Sequence, residues 1–287
     1  MSRDKHVLVV GATGKQGGSV IKSLMTKGYR VRGLTRNPSS KIAIDLHNSG
    51  AEIAVGDFID ADSLSRALDK IDTVFLVTTA VQAEVAQGTA MIDAARKARV
   101  GHLVFSSVAS ANKHTGIPHF DTKYEIEQHL EKSGLAYTIV GPTAFMENFI
   151  QPFSLPALAQ GKLSRAIPPE RKVQMIALDD IGAFVGCVIA TGEPFFGKRI
   201  DIAGDELNGV ETAAIISRVV GREIKYEELP LDAIRARSPE RARMFEWQRT
   251  NDYTADIREL HRSYKEVRWH TLQEWARTID WKSMIGT

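Results

Sequence analysis

The stretch that decides the fold is His6–Gly18, HVLVVGATGKQGG. It opens with a continuous apolar run, His6–Val10, of the kind found in strands that are covered on both faces of a sheet. Glycines follow at positions 11, 14 and 17, and the segment 16–27 then carries its apolar residues on one helical stripe. A glycine-rich turn between a strand and a helix predicts the first unit of a parallel α/β sheet, with a phosphate-binding turn.

The same alternation of short apolar runs and helical segments continues along the chain. Strands are predicted at 30–35, 52–55, 72–78, 102–106 and 136–140, and the helices between and beyond them at 41–49, 62–70, 84–99, 119–132 and 180–191. A last strand-like run at 198–202 is expected to add an edge strand. Strands separated by helices pair in parallel, so the predicted fold class is α/β with a doubly wound parallel sheet.

Two regions interrupt this alternation. Residues 151–169 contain four prolines, which argues for loops and short turns rather than sheet. From residue 205 onward the chain reads as mostly helical, with helices predicted at 210–220, 231–248 and 271–278. We therefore expect a cofactor-binding domain formed by residues 1–150 plus 178–204. A smaller, mainly helical C-terminal lobe for substrate or partner would comprise 151–177 plus 205–287.

The composition narrows the class of protein. The 287 residues are 43% hydrophobic and 25% charged, as in ordinary globular proteins, and the formal net charge of +2 does not indicate general binding to nucleic acid or a membrane surface. Cys187 is the single cysteine, which excludes an internal disulfide and fits a reducing compartment. No apolar run reaches the roughly 18 to 20 residues that cross a bilayer. We expect a cytoplasmic protein, with the nucleus as a second location.

The segment 234–249 contains five arginines interleaved with Met244, Phe245 and Trp247. This pattern is more typical of an amphipathic helix than of a nucleic-acid surface. The apolar face of such a helix packs on its own lobe, and its arginines face solvent. We expect neither nucleic acid nor a metal ion as a partner. A protein partner for the arginine face and the oligomeric state stay open.

The glycine loop predicts where a pyrophosphate binds. Its glycines permit a sharp turn and bring backbone N–H groups close to the anion, while the following helix presents its positive dipole end. The predicted cofactor contacts in this loop are Gly11, Thr13, Gly14, Lys15, Gln16 and Gly17.

The end of the second strand indicates which dinucleotide binds. NAD sites usually carry an acidic residue there, whereas this chain has LTRNP at 34–38. Arg36, with Lys41 five residues further on, can hold the 2′-phosphate of NADP(H), which is therefore the favoured cofactor. The alternative for Arg36 is an ordinary solvated cation. Asp57 either accepts a hydrogen bond from the adenine or caps the next turn.

Further cofactor contacts are predicted beyond the carboxyl ends of other strands, where doubly wound folds bind their ligands. These are Phe58, Thr78, Thr79 and Phe145. Together with Met146, Asn148 and Phe149, Phe145 either lines an apolar substrate pocket or packs the hinge between the lobes, and both readings stay open.

Six motifs together resemble a known family. They are GATGKQG at 11–17, TRNP at 35–38, VGDFID at 55–60, HFDTK at 119–123, GPTAFMENF at 141–149 and LQEW at 272–275. The chain resembles the atypical short-chain dehydrogenase/reductases, and more narrowly the NmrA-like family, over essentially its whole length. The resemblance implies a Rossmann domain with a small C-terminal lobe and NADP bound across the strand ends. That family includes reductases of benzylic ethers, isoflavones and quinones, and redox sensors that regulate transcription through partners.

The helix at 119–132 carries the candidate catalytic residues. Typical short-chain dehydrogenases place a Tyr-x-x-x-Lys pair there, but here His119 stands four residues before Lys123. Tyr124 is adjacent to the lysine and points about 100° away around the helix. Lys123 is the predicted contact of the nicotinamide ribose, with an ordinary exposed lysine as the alternative. His119 is the candidate proton donor, since an imidazole exchanges a proton near neutral pH, although capping or packing would also explain it.

Two functions follow from these residues. The first is an NADPH-dependent reductase of a small apolar carbonyl, quinone or imine, in which Lys123 holds the cofactor and His119 or water supplies the proton. The alternative is a catalytically inactive NADP(H) redox sensor that regulates a protein partner such as a transcription factor. Its basis is the missing tyrosine.

Overall fold

The computed structural model describes residues 5–78 and 82–286. Seven of its strands form a central sheet in the order β10-β6-β5-β4-β1-β2-β3, and every neighbouring pair is parallel. The strands of the described residues are β1 (His6–Val10), β2 (Arg30–Thr35), β3 (Glu52–Val55), β4 (Thr73–Val77), β5 (His102–Ser106), β6 (Tyr137–Pro142), β7 (Ala144–Phe145), β8 (Lys162–Arg165), β9 (Val173–Ile176), β10 (Lys198–Ile202), β11 (Asp205–Leu207) and β12 (Lys225–Glu228).

Helices cover both faces of the sheet because the strands are apolar on both faces. Val7 and Val9 of β1 point to a cluster that includes Ile181, whereas Leu8 and Val10 point to the opposite cluster. The helices of the described residues are α1 (Lys15–Thr26), α2 (Lys41–Asn48), α3 (Ala61–Ala67), α4 (Glu84–Lys97), α5 (Pro118–Lys132), α6 (Leu155–Ala159), α7 (Leu178–Thr191), α8 (Gly209–Val220), α9 (Leu231–Arg237), α10 (Pro239–Thr250), α11 (Ile257–Ser263), α12 (Leu272–Ala276) and α13 (Trp281–Ile285).

This architecture confirms the predicted doubly wound α/β fold. The run at 198–202 is β10, which pairs in parallel with β6 at the sheet edge, as expected. The strand order changes direction between β1 and β4. A crevice therefore opens at the carboxyl ends of these two strands, which is where doubly wound sheets bind ligands.

The prediction of one helix at 231–248 is wrong, because this segment forms two helices. Ser238 separates α9 from α10 and has extended dihedral angles, φ −157° and ψ 96°. The following Pro239 excludes the helical conformation at Ser238 by steric contact. The Ser238 hydroxyl then caps α10 by accepting a hydrogen bond from the N–H of Arg241 at 3.3 Å.

The expectation that residues 151–169 contain no sheet is also wrong. Strand β8 lies in this region and pairs in parallel with β12, and β7, β9 and β11 form a second small sheet. The four prolines lie outside Lys162–Arg165, so they interrupt the chain on either side of a strand without excluding it. The residues that pair with β8 are about 60 positions away, and local patterning does not reveal them.

Helix α10 packs on more than its own lobe, contrary to the expectation from the arginine-rich segment. Trp247 lies against Phe120 of α5, with ring centroids 6.0 Å apart, and Phe245 is buried in the same cluster. Helix α10 therefore also packs against α5 of the sheet domain. The exact domain boundaries stay a prediction. In the part of the chain that the structure describes, no helix has the length and apolarity of a membrane span.

Candidate functional site

The glycine loop after β1 leaves no room for side chains at two of its positions. Gly11 has a φ of +80°, and a Cβ there would lie 2.5 Å from Cγ1 of Val77. A Cβ on Gly17 would lie 2.1 Å from the carbonyl oxygen of Gly11. The sharp turn between β1 and α1 therefore requires glycine at both positions.

The N-terminus of α1 is free to meet an anion. Its N-cap residue, Gly14, offers no side-chain acceptor, and the first turn contains no acidic residue. The first N–H groups of the helix therefore keep their hydrogen-bonding capacity at the positive end of the dipole. Thr13, Gly14 and Lys15 are at least partly exposed, so a ligand can reach them. This geometry fits the pyrophosphate of a dinucleotide.

Gln16 joins the glycine loop to the neighbouring part of the sheet. Its side-chain oxygen accepts a hydrogen bond of 2.6 Å from the hydroxyl of Ser106, the last residue of β5. Ser107 donates instead to the buried carboxylate of Glu127, which also pairs with Arg199 at 2.9 Å. Ser106 and Ser107, at the end of β5, are thus each held by a side-chain hydrogen bond.

Arg36 and Asp57 line one open groove beside the carboxyl ends of β2 and β3. Arg36 is exposed and makes no ion pair with any residue that the structure describes, which leaves it available to a phosphate. Asp57 accepts a hydrogen bond from the N–H of Ile59 at 3.3 Å and so caps a turn. Phe58 packs against the core beneath, whereas Lys41 extends into solvent and pairs with Asp45 of its own helix at 2.9 Å.

Lys123 lies inside the protein, where its ammonium group has a full set of partners. Its Nζ donates to the hydroxyl of Thr78 at 2.9 Å, to the backbone oxygen of Thr78 at 3.1 Å and to that of Ser106 at 3.2 Å. It also forms an ion pair of 3.1 Å with Glu84, whose second oxygen accepts a hydrogen bond from Thr122. Lys123 and Glu84 are only 8% and 3% exposed.

This buried pair fixes the ends of β4 and β5 to α4 and α5. Burial lowers the pKa of Lys123, and the nearby charges of Glu84 and Glu127 oppose that effect. The structure thus excludes the alternative of an ordinary exposed lysine. Thr78 is committed to the same cluster, and Thr79 lies outside the described residues.

His119 lies one turn before Lys123 but faces the C-terminal lobe. It is half-buried, and its Nδ1 lies 2.8 Å from Oε1 of Glu240 at the start of α10. Because a carboxylate only accepts hydrogen bonds, Nδ1 carries a proton in this contact and Nε2 is the free ring nitrogen. The contact bridges the two sides of the cleft.

The segment after β6 mainly packs into the two cores that it connects. Met146 and Phe149 are buried in the core of the small lobe with Trp275, and Phe145 packs against the core under the sheet. The backbone oxygen of Asn148 accepts a hydrogen bond from Ser154, which closes the following turn. Of the two open readings for this segment, the contacts of Met146 and Phe149 favour packing between the lobes.

Sequence reasoning missed two charged residues, Glu84 and Arg165. Glu84, the partner of Lys123, carries only the weak signal of an acid at the start of the helix after β4. Arg165 stands in β8, with its guanidinium 4.8 Å above the ring of Phe149. An arginine between Ser164 and Ala166, in a region read as loop, carried no signal that it would lie over an aromatic ring. Within residues 5–78 and 82–286, no three His, Cys, Asp or Glu side chains are arranged as metal ligands.

Comparisons with known proteins identify the family of the chain. The NmrA-like family profile matches residues 3–276. A (4-alkanoyl-5-oxo-2,5-dihydrofuran-3-yl)methyl phosphate reductase of Streptomyces griseus is 32% identical over 231 residues, covering 80% of this chain and 79% of the relative.

Two solved structures show the same fold. The NADPH-dependent quinone oxidoreductase of Escherichia coli, complexed with NADPH, superimposes with a TM-score of 0.81 at 23% identity, over 95% of this chain and 99% of that chain. NmrA, a negative transcriptional regulator in complex with NADP, gives 0.79 at 20% identity over 98% and 99%. The same regulator is also known in complex with NAD. The family match over nearly the whole sequence shows that this chain belongs to the NmrA-like family.

Proposed function

We propose that this protein binds NADP(H) at the glycine loop and is an NADPH-dependent reductase of a small apolar carbonyl, quinone or imine. The observation that carries the proposal is the uncapped, acid-free N-terminus of α1 behind two glycines that tolerate no side chain. The relatives support it, since one is named a reductase and another structure is an oxidoreductase complexed with NADPH. We further propose a cytoplasmic location.

Bound NADPH would supply a hydride at the carboxyl ends of the strands. The chain's own residues then have separate tasks. Arg36 holds the 2′-phosphate, and the amides of the glycine loop hold the pyrophosphate. Lys123 acts as a positioning residue, because its ammonium group is used up in fixing the strand ends and the Thr78 backbone. His119 first takes a proton from water at Nε2 and then delivers it to the acceptor, while Glu240 orients the ring through Nδ1.

The second candidate is a redox sensor that regulates a protein partner. It is favoured by the absent tyrosine and by the contact between His119 and Glu240, which joins the sheet domain to α10. Cofactor binding would then change the relation of α10 to the sheet rather than support turnover. The fold likeness to a transcriptional regulator complexed with NADP agrees with this reading.

Neighbouring glycines provide the test of the binding site. In Gly17→Ala, the new methyl group collides with the Gly11 carbonyl, and we expect the NADPH affinity to fall at least about 100-fold, or about 3 kcal/mol. Gly18→Ala is the matched control, because its Cβ would lie 4.0 Å from the nearest atom, the Ala12 oxygen. Isothermal titration calorimetry measures both. Equal affinities for the two variants would contradict the proposed site.

The choice between NADPH and NADH rests on Arg36. Loss of a charged hydrogen-bond donor to the 2′-phosphate predicts that Arg36→Ala weakens NADPH binding about 10- to 100-fold and NADH binding less than about twofold. Arg30→Ala is a suitable control, since this exposed arginine pairs with Glu52 at the other end of β2. Equal losses for both cofactors would rule out the 2′-phosphate assignment.

Turnover separates the two functions. Oxidation of NADPH is followed at 340 nm with a panel of aldehydes, quinones and imines, in the wild type and in His119→Gln. The reductase predicts acceptor-dependent oxidation that is slower in the variant. Tight NADPH binding without any acceptor-dependent rate would instead support the sensor.

A further inference from the structure

Three charged side chains form a largely buried cluster beside the carboxyl ends of β5, β6 and β10. Arg199 of β10 donates from Nε to Glu127 of α5 at 2.9 Å and also pairs with Asp201 of its own strand. Glu127 is fully buried, and the other two side chains are mostly buried. One cation meets two carboxylates, so the ion pairs alone leave one negative charge that needs further hydrogen-bond donors.

The segment that follows β5 supplies these donors. Residues 107–110 form the β5 loop. The hydroxyl of Ser107 donates to Glu127, and the N–H of Ser110 donates to Oδ2 of Asp201 at 3.0 Å. Hydrogen bonds to charged groups are stronger than those between neutral groups, so the cluster fixes both ends of the loop.

The middle of the β5 loop is held as well. The carbonyl of Val108 accepts a hydrogen bond of 2.9 Å from Nη2 of Arg199, and the N–H of Ala109 donates to the carbonyl of Pro142 at 2.9 Å. Each of the four loop residues is therefore hydrogen-bonded to the cluster or to β6.

The loop ends in a strained backbone conformation. Ser110 has φ 65° and ψ 13°, in the left-handed region, which is unfavourable for serine. The other non-glycine residues of the described chain with a positive φ are exposed, namely Lys70, Arg99 and His114. Ser110 is instead completely buried. Such a conformation persists in the interior only where the surroundings enforce it, and the contact with Asp201 does so here.

A glycine in β6 opens the path from the cluster to the loop. Asp201 pairs in register with Gly141, and its carboxylate reaches across this residue to the loop. A Cβ on Gly141 would lie 2.2 Å from Oδ1 of Asp201 and 3.2 Å from Cα of Ala109. A side chain at position 141 would therefore displace the carboxylate or the loop.

The β5 loop lies beside the crevice of the sheet. Ser106, directly before the loop, donates to Gln16 of the glycine loop at 2.6 Å, and its carbonyl accepts a hydrogen bond from Lys123 at 3.2 Å. With the adenosine half of a dinucleotide at Arg36, beyond β2, the nicotinamide half lies on the opposite side of the glycine loop, towards β4 and β5. The β5 loop would then border the nicotinamide half.

We propose that Glu127, Arg199 and Asp201 are positioning residues that hold the β5 loop against the nicotinamide half of bound NADP(H). The loop limits the motion of the ring and keeps its hydride-bearing carbon at a fixed distance from the acceptor. A displacement of about 1 Å is enough to slow such a transfer about 100-fold. This role rests on the proposed function, because it requires the cofactor in the crevice.

Asp201→Asn is the main test variant. Its amide replaces one acceptor oxygen by an NH₂ group, which faces either Arg199 or the N–H of Ser110, so the loop loses its support. We expect the NADPH affinity from calorimetry to stay within about twofold of the wild type, since the phosphate contacts are retained. The fluorescence lifetime of bound NADPH should shift towards that of the free cofactor, because the nicotinamide ring gains freedom. With an acceptor, kcat should fall at least about tenfold.

Asp72→Asn is the matched control. The Asp72 carboxylate also accepts a hydrogen bond from a backbone N–H, that of His6 at 2.7 Å, but at the amino ends of β1 and β4. The same substitution there should leave both the lifetime and kcat unchanged, and circular dichroism shows that both variants are folded. Equal changes in the two variants would contradict a specific role of the loop.

Two further variants act on the same contact. Gly141→Ala displaces the Asp201 carboxylate while keeping every charge, and it should shift the lifetime in the same direction. Ser110→Gly, introduced into Asp201→Asn, should restore part of the lifetime and of kcat, because glycine adopts a positive φ at no steric cost. A wild-type lifetime and kcat in Asp201→Asn, or no recovery on adding Ser110→Gly, would overturn the positioning role.

The lifetime keeps this test separate from the test for turnover. If the lifetime responds to Asp201→Asn while the wild type reduces no acceptor, the positioning role stands and the reductase proposal fails. If acceptors are reduced and Asp201→Asn matches the wild type in both measurements, the reductase stands and the positioning role fails. Absence of NADPH binding to the wild type would overturn both.

Discussion

Two cations, Lys123 in α5 and Arg165 in β8, differ in what surrounds them. Lys123, on the sheet side, is 8% exposed and uses its ammonium group entirely on Thr78, Ser106 and Glu84. Arg165, on the lobe side, rests on an aromatic ring and has no anionic partner among the described residues. The ammonium group of Lys123 is fully paired within the scaffold, whereas the guanidinium of Arg165 forms no ion pair with a described residue.

This difference bears on how much each side chain stabilises the fold. A buried ion pair with all its hydrogen bonds made holds backbone strands in one arrangement, and removing either partner leaves a desolvated charge. An arginine that only lies over an aromatic ring contributes less to folding. Stability should therefore depend more on Lys123 and Glu84 than on Arg165.

The largest expected effect is on the sheet side. Glu84→Ala leaves the Lys123 ammonium buried without its counter-ion, and we expect the free energy of unfolding to fall by roughly 3–5 kcal/mol. Urea denaturation followed by circular dichroism measures the change. Glu125→Ala, an exposed acid on α5, should change stability by less than about 0.5 kcal/mol. A small decrease in unfolding free energy for Glu84→Ala would contradict the stabilising role of the Lys123–Glu84 pair.

His102 is a buried basic group without a counter-ion, and it is neutral in the folded protein. Burial lowers its pKa from 6.5 to about 4, and its Nε2 lies 2.9 Å from the hydroxyl of Thr138. That hydroxyl donates to the Phe195 carbonyl, so its oxygen accepts a hydrogen bond from Nε2–H of the neutral ring.

The second prediction follows from this shift. Between pH 6.5 and 4 the unfolded chain binds a proton at His102 that the folded chain does not, so stability decreases as the pH falls. The loss across this window amounts to about 3 kcal/mol. Unfolding free energies measured from pH 7 to 4.5 should show this slope reduced in His102→Gln and unchanged in His47→Gln, where the histidine is exposed. If the wild type and both variants showed the same change of unfolding free energy with pH, the pH dependence would come from a group other than His102.

The smallest effect is expected on the lobe side. Arg165→Gln and Arg241→Gln each lose one contact with an aromatic ring and should lower the unfolding free energy by about 1 kcal/mol or less. Thermal unfolding of both variants checks this value. A loss as large as that of Glu84→Ala would mean that Arg165 is a structural cation, and the contrast between the two sides would disappear.

Local patterns in the sequence were enough to predict the sheet and the glycine loop. Strands such as β1, β4 and β5 are short apolar runs, helix α1 has an apolar stripe, and the glycines at 11 and 17 lie between the first strand and helix. These features depend on neighbours a few residues apart, and therefore periodicity and spacing reveal them. For the same reason, Lys123 was recognised by its position in a motif.

Contacts between distant segments were decided by the tertiary structure alone. The pairing of β8 with β12, the neutralisation of Lys123 by Glu84 and the meeting of His119 with Glu240 join residues between 39 and 121 positions apart. Whether a charged side chain is paired or left to a ligand depends on which elements pack around it. Lys123 and Arg165 are both basic residues in the sequence, and only the packed fold shows which of them retains an unpaired charge.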